Sequence, residues 1–380
     1  MPGQTLTGQE ARPGSPQVKE LLNRIRRLAH VLGWGSWRWR SPEQRWLRDR
    51  VAVGDGQAIS YAGELLELRG LTIATRALAA GESGESWTLG FHQPELIERL
   101  PLQESLRHLR FFRIDEEMPQ PDPCPVISVR RMEWANLYHS MVELYDAYLA
   151  ARFLGLEPSR TNVLFVDSHP PSPFGLWWST LFAQVRSVSE ISPTRFDRVV
   201  FCSTNDKSDF NSVLGSRPSY VNDLSRALRR AFDLSSEGHL ITLISRQRCR
   251  ERVLANEQEL LSALRARLPE AAIVGVILED LSLLEQMRLI GRTRILLGTH
   301  GAGLSYALLL PEGSGVLELF LSLPGMARFH FRNICRWRRL PYRLWGNWRS
   351  WREPVGGRAP CDIKAVVDRV ERLWHELNRK

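Results

Sequence analysis

Cysteine is sparse in this chain of 380 residues: there are five, Cys124, Cys202, Cys249, Cys335 and Cys361, far apart and with no CxxC pair. That spacing argues against a disulfide framework and against a zinc site. Lysine is scarcer still. Four of the 51 basic residues are lysine (Lys19, Lys207, Lys364 and Lys380) and the rest are arginine, against 42 acidic residues, for a net charge of +9. No apolar run approaches the roughly 18–20 residues of a membrane span. Residues 1–16 lack the apolar centre of a signal peptide, and no Asn-x-Ser/Thr acceptor occurs. Neither GxGxxG nor GxxxxGK[ST] is present, which leaves an NAD-binding or P-loop reading without support. With 43% hydrophobic and 24% charged residues, what remains is ordinary globular material, enough to offset chain entropy. The expectation is a cytoplasmic protein of two domains.

The chain changes character along its length. Residues 1–16 read as a disordered tail, and Leu21, Leu22, Ile25, Leu28 and Leu32 space a helix over 17–32. Short apolar runs broken by glycine over 50–115 predict small strands and hairpins. The segment PQPDPCP at 119–125 marks a loop. Strand-like and helix-like stretches then alternate. Strands are expected at 126–129, 162–166 and 198–202, with helices at 134–154, 175–185 and 219–232. After the Ser-Ser-Glu-Gly turn at 235–238 a second series opens, with strands at 239–246, 272–277, 293–297 and 315–320 and helices at 256–268 and 281–291. Such alternation means parallel sheets covered on both faces. The division expected is an N-terminal domain over 17–235, a C-terminal domain over 236–360 and an amphipathic C-terminal helix over 361–380.

Thr299-His300-Gly301-Ala302-Gly303-Leu304-Ser305 follows the strand RILLG and precedes an apolar helix. A strand, a glycine-rich turn and a helix place bare backbone N–H groups where an anion can settle, and glycine lets a phosphate approach the main chain. His300 stands ready to donate to a diphosphate oxygen. Ser245-Arg246 ends another buried strand, aiming an Arg at the same edge of the sheet. Glu318, near the end of GVLELF, is expected to accept from ribose hydroxyls, as acidic residues do in nucleotide folds.

These residues together resemble glycosyltransferase family 61, which includes plant xylosyltransferases and the EGF-domain and O-mannose GlcNAc transferases. The resemblance rests on Ser245-Arg246, Asn256-Glu257, His300 to Leu304, Leu310 to Gly313 and Leu317-Glu318-Leu319, in order over about 80 residues. Upstream, Asn136-Leu137-Tyr138-His139 is similar to the family's Asn-x-x-His helix start, with Glu143 in the acidic position. What the resemblance implies is a GT-B fold: α/β, with two Rossmann-like domains facing a central cleft, 17–235 on the acceptor side and 236–360 on the donor side, and the C-terminal helix packing back toward the N-terminal domain. It further implies a UDP-sugar donor, GlcNAc or xylose as the sugar, inversion at the anomeric carbon, and no required cofactor or metal. Ser245, Arg246, His300, Gly301, Ala302, Gly303, Leu304 and Glu318 would then bind the donor.

Inverting transfer needs a base for the acceptor hydroxyl. His139 and Glu143 lie at i and i+4 on one face of the helix from 134, and Asp146 is a third candidate. Asn136 and Asn256 read as supporting residues. Two segments, 34–50 and 336–352, mix Trp with Arg. They suit either a core covered by Arg stems or contact with an anionic surface such as the inner face of a membrane. No nucleic-acid motif accompanies them, so nucleic acid is not the expected partner. A glycan, lipid-linked glycan or protein acceptor is. The competing reading is a non-catalytic protein on a degenerate transferase fold, binding anions, glycans or nucleic acid without turnover.

Overall fold

The computed structural model describes residues 42–75, 87–102, 106, 109–113, 121–202, 210, 219–321, 330–346 and 357–379. The expected tail over 1–16, the helix over 17–32, and parts of both Trp/Arg segments (34–41 and 347–352) lie outside the described residues.

The first half opens with α1 (Pro42–Arg48) and the meander β1 (Arg50–Val53), β2 (Ala58–Tyr61) and β3 (Leu65–Thr75). The turn into β3 places Ala62 and Gly63 at positive φ, a conformation that costs glycine nothing. Then come β4 (Trp87–Gly90), α2 (Glu95–Glu98), β5 (Phe111–Phe112), β6 (Val126–Val129), α3 (Leu137–Phe153), β7 (Asn162–Phe165), α4 (Gly175–Leu181), β8 (Val185–Ser187) and β9 (Thr194–Cys202). The main path of the sheet is β1-β2-β3-β9-β6-β7-β8, with β4 and β5 joined to β3. Strands β9, β6, β7 and β8 are mutually parallel, whereas β3 meets β9 antiparallel. The first sheet is therefore mixed, not Rossmann-like throughout. Tight glycine-containing turns can only return a strand antiparallel, and these hairpins extend the parallel part on one side.

The second half runs through α5 (Val221–Ala231), β10 (Leu240–Ile244), β11 (Val253–Leu254), α6 (Glu257–Arg267), β12 (Ala272–Val276), α7 (Leu283–Gly291) and β13 (Thr293–Thr299). A 3₁₀ segment (Ala302–Leu309), β14 (Gly315–Phe320), α8 (His330–Arg338), β15 (Tyr342–Gly346), β16 (Arg358–Ala359) and α9 (Ile363–Asn378) complete it. The sheet order is β12-β10-β13-β14-β15, parallel throughout. Its three central strands, β10, β13 and β14, are buried on both faces, as double coverage requires, whereas the edge strands β12 and β15 are partly exposed. No helix among the described residues is long and apolar enough to cross a membrane.

Between the two sheets lies a shared core. Thirteen of the 17 residues of α3 are buried, and its apolar side chains pack with Ile127 and Val200 of the first sheet. The same cluster contains Ile244, Leu296 and Val316 of the second sheet, Tyr306 to Leu309 of the 3₁₀ segment and Leu310 just after it. Carbonyls at the end of that segment are held by side chains. Ser225 Oγ donates to Leu308 O at 2.7 Å, Arg338 Nη2 to Leu310 O at 2.8 Å, and Arg229 to Leu309 O. Burial pulls the Arg338 guanidinium down to about 10.

Helix α9 does not pack back toward the N-terminal half as expected. Its stripe Val366, Val367, Val370, Leu373 and Leu377 covers the outer face of the second sheet, beside Leu260, Leu261 and Leu264 of α6. That face is otherwise an open layer of leucine and isoleucine from β10, β13 and β14, so the nearest large apolar surface takes the stripe.

Candidate active site

The second sheet reverses its direction of winding between β10 and β13, the position where open α/β sheets hold ligands beyond the carboxyl ends of their strands. Here β10 delivers Ser245 and Arg246, and β13 delivers His300 and the turn Gly301-Ala302-Gly303. A cavity of about 490 Å³ opens at this point. Ile244, Ser245, Arg246, Ala302 and Gly303 line one side; Asn136, Leu137, Pro173 and Phe174 from the first half line the other; Leu278 and Glu279 lie along its edge.

Arg246 lies directly over the glycine turn. A Cβ on Gly301 would stand 2.5 Å from Arg246 Nη1, so glycine is what lets the guanidinium settle against the main chain. Arg246 Nε and Nη2 each donate to Glu251 O at 3.3 Å, which fixes the fork. A Cβ on Gly303 would press on Ile244 and Leu278 at 3.1 Å. The segment that follows is 3₁₀ rather than α-helical, bounded by Gly301 and Pro311. A full α-helix dipole is therefore not available at this turn.

His300 is buried, stacked on Phe320 at 4.9 Å, with Phe331 at 5.2 Å. Its Nδ1 lies 2.5 Å from Glu318 Oε1, and Tyr342 OH donates to Glu318 Oε2 at 2.6 Å. Glu318 is fully buried, with both oxygens engaged. It does not reach out to ribose hydroxyls as expected; it anchors the imidazole from below. Burial, and next the charge of Glu318, push the Tyr342 hydroxyl far above its usual range, which keeps it a donor.

The expected catalytic helix is placed differently. Asn136 caps α3, accepting from the Tyr138 amide at 2.9 Å and donating to Glu133 at 2.7 Å, and it does line the cavity. Glu143 faces inward, fully buried, where Oε1 accepts from the Met132 amide at 2.7 Å. That bond ties its carboxylate to the loop before α3. His139 Nε2 lies 3.7 Å from Glu133, and neither His139 nor Asp146 lines the cavity. Leu304 is buried in the shared core. Asn256 grips the main chain of Cys361 in both directions, at 2.9 and 3.0 Å, tying the start of α6 to the approach to α9.

The sequence did not single out the device that shapes the far wall. Arg131 and Asp167, just past the ends of β6 and β7, form a buried bidentate pair at 2.6 to 3.1 Å, with Arg131 lying over the Phe165 ring. Arg131 also donates to the carbonyls of His169 and Pro170. Ser172 Oγ then donates to Trp134 O at 3.0 Å, which locks the loop bearing Phe174 to the loop bearing Asn136. Opposed charges at the ends of two expected neighbouring strands were the available signal.

The family model Glycosyltransferase 61 matches residues 137–317, from the start of α3 to the middle of β14. The chain is 25% identical over 260 residues to a beta-1,2-xylosyltransferase of Oryza sativa subsp. japonica, covering 57% of this chain and 48% of that one. It is 23% identical over 309 residues to the beta-1,2-xylosyltransferase of Arabidopsis thaliana, covering 67% and 55%. An EGF domain-specific O-linked N-acetylglucosamine transferase of Canis lupus familiaris matches at 36% over 81 residues, 21% of this chain and 15% of that one. The chain thus spans about half the length of the xylosyltransferases it matches. Residues 137–317 carry a glycosyltransferase family 61 domain.

Proposed function

We propose that this chain is a GT-B-type glycosyltransferase that moves xylose or GlcNAc from a UDP-sugar to a glycan or another hydroxyl acceptor, with inversion. One observation carries the reading: Arg246 lies against the glycine turn at the switch point of a parallel sheet, where Arg246, Ala302 and Gly303 line a cavity whose far wall comes from the other half of the chain, and His300, which does not itself line that cavity, opens the turn beside it. A departing diphosphate needs fixed positive groups and N–H donors at the place where its charge develops. The turn N–H groups and the Arg246 fork supply them. With Glu318 holding Nδ1, the Nε2 edge of His300 is left to serve the phosphate. The family domain and the names of the relatives support sugar transfer as the chemistry. Of the three base candidates, His139 keeps the role in this reading, since it lies one turn from the cavity-lining Asn136.

The test is a thermal-shift panel of UDP, GDP, dTDP, CMP and NAD, followed by UDP release from UDP-xylose and UDP-GlcNAc. A ligand at 100 times its Kd adds about 2.7 kcal/mol to stability, an easily read shift. UDP is expected to shift the midpoint selectively. Arg246→Ala and His300→Ala are expected to abolish turnover while keeping the cooperative melt. Turnover retained in both variants refutes these roles, and a flat panel refutes the donor site.

A further inference from the structure

With Glu318 withdrawn into the core, the ribose of a bound nucleotide needs another acceptor. We infer that Glu279 accepts hydrogen bonds from the ribose hydroxyls of the donor nucleotide, which makes the site selective for ribo- over 2′-deoxyribonucleotides. The inference rests on the nucleotide-sugar reading of the cavity.

Three observations carry it. First, Val276, Ile244 and Gly298 form one row across β12, β10 and β13, so these strands end level with one another. Glu279 follows three residues after Val276, and Gly301 three after Gly298. Two strand spacings, roughly 9–10 Å, separate the columns. That is the scale from a diphosphate, across the 5′-methylene and the sugar ring, to the 2′ and 3′ hydroxyls. Second, Glu279 lines the cavity and is exposed, and among the described residues its carboxylate has no hydrogen-bond or ion-pair partner. Its neighbour Asp280 is instead paired with Arg248 and does not line the cavity. Third, the backbone beneath Glu279 is fixed. Leu278 is buried, and Gln286 Nε2 donates to Leu278 O at 2.9 Å and to Leu281 O at 3.0 Å. Gln286 Oε1 in turn accepts from Tyr306 OH at 2.6 Å. A carboxylate on a rigid turn, facing the cavity and otherwise unengaged, suits a vicinal diol, each hydroxyl donating to one oxygen. Dinucleotide-binding folds use an acidic residue for the same contact.

The experiment is a four-way binding cycle on the whole chain, by calorimetry: wild type and Glu279→Ala, each against UDP and 2′-deoxy-UDP. Both ligands carry the same charge, so removing a negative residue near a diphosphate changes both affinities alike and cancels in the ratio. Wild type is expected to prefer UDP by roughly tenfold to a hundredfold, the range for a hydrogen bond to a charged group. Glu279→Ala is expected to bring that ratio close to one, and Glu279→Gln, which keeps one acceptor oxygen, to an intermediate value. A wild type that binds UDP and discriminates equally well after Glu279→Ala overturns the inference and leaves the donor site standing. Loss of turnover with intact discrimination also overturns it, by moving Glu279 to the acceptor side. No binding of UDP by the wild type overturns the donor reading and this inference together.

Discussion

At the scale of single residues, alternation along β14 explains why Glu318 behaves as it does. Leu317, Leu319 and Leu321 point to the outer layer under α9, and Val316 points to the shared core. With a period of two, Glu318 must share the side of Val316, where His300 and Tyr342 close over it. A carboxylate in such a place persists only when its oxygens are satisfied, and each has one partner here. The consequence is a positioning role. Tyr342→Phe removes one donor and lets the carboxylate swing, which is expected to lower kcat by about tenfold through His300 misplacement. Glu318→Ala frees the imidazole and is expected to cost on the order of a hundredfold in kcat. In both variants the Kd for UDP should rise by clearly less than kcat falls, because in the proposed site the turn N–H groups and Arg246 share the diphosphate with His300. Steady-state kinetics with UDP calorimetry decides it. An equal loss in binding and in kcat shows that Glu318 only holds the fold together.

At the scale of elements, the far wall of the cavity depends on the loops after β6 and β7. Arg131 and Asp167 have side chains 2% and 6% exposed, so each is a charge that the fold tolerates only because of the other. Asp167→Ala leaves Arg131 charged and buried with carbonyl partners alone. The expected loss is about 3–5 kcal/mol, read as a lower urea midpoint with an unchanged m-value. Asp167→Asn, which keeps two polar atoms in place, is expected to lose less. A cost below about 1 kcal/mol for Asp167→Ala would mean that the two loops are held by Ser172 and Trp134 alone. The elements around this wall were legible in the sequence because their signals are local. The helices expected at 219–232, 256–268 and 281–291 occur at Val221–Ala231, Glu257–Arg267 and Leu283–Gly291, each a turn or less from its predicted ends. The Gly-rich turn and the Ser-Arg strand end were equally plain. Helix α8 and strand β15 were not, since both fall in a run of Arg and aromatic residues with no clean period. Their packing uses Trp345 as core and Arg338 as a donor to backbone carbonyls, roles that composition alone does not reveal. Glu279 was in plain view in LEDLS. What made it visible was strand order, because β12 lies beside β10 only in the folded sheet.

At the scale of the whole molecule, the two sheets share the apolar layer that centres on α3. Trp177 illustrates the coupling: it is fully buried, stacks on Phe174 at 5.1 Å, meets Tyr306 edge-on at 6.2 Å and donates from Nε1 to Met287 Sδ at 3.0 Å. One side chain from the first half therefore packs on two elements of the second. Sequence periodicity marks which residues are apolar but not which layer each one joins, and for that reason neither this shared core nor the outward docking of α9 was legible beforehand. A core of this kind makes the halves thermodynamically interdependent, because opening either one exposes α3, the 3₁₀ segment and the apolar face of the other. Unfolding in urea is expected to be a single transition, with far-UV circular dichroism and Trp fluorescence coinciding. UDP, which the proposed function places mainly against the second sheet, should then move both probes to higher urea together. Leu308→Ala, in the middle of the shared layer, is expected to cost about 2–5 kcal/mol and to lower both curves without separating them. Two resolved transitions in the wild type, with UDP shifting one of them, would show that the cavity lies between independently stable domains.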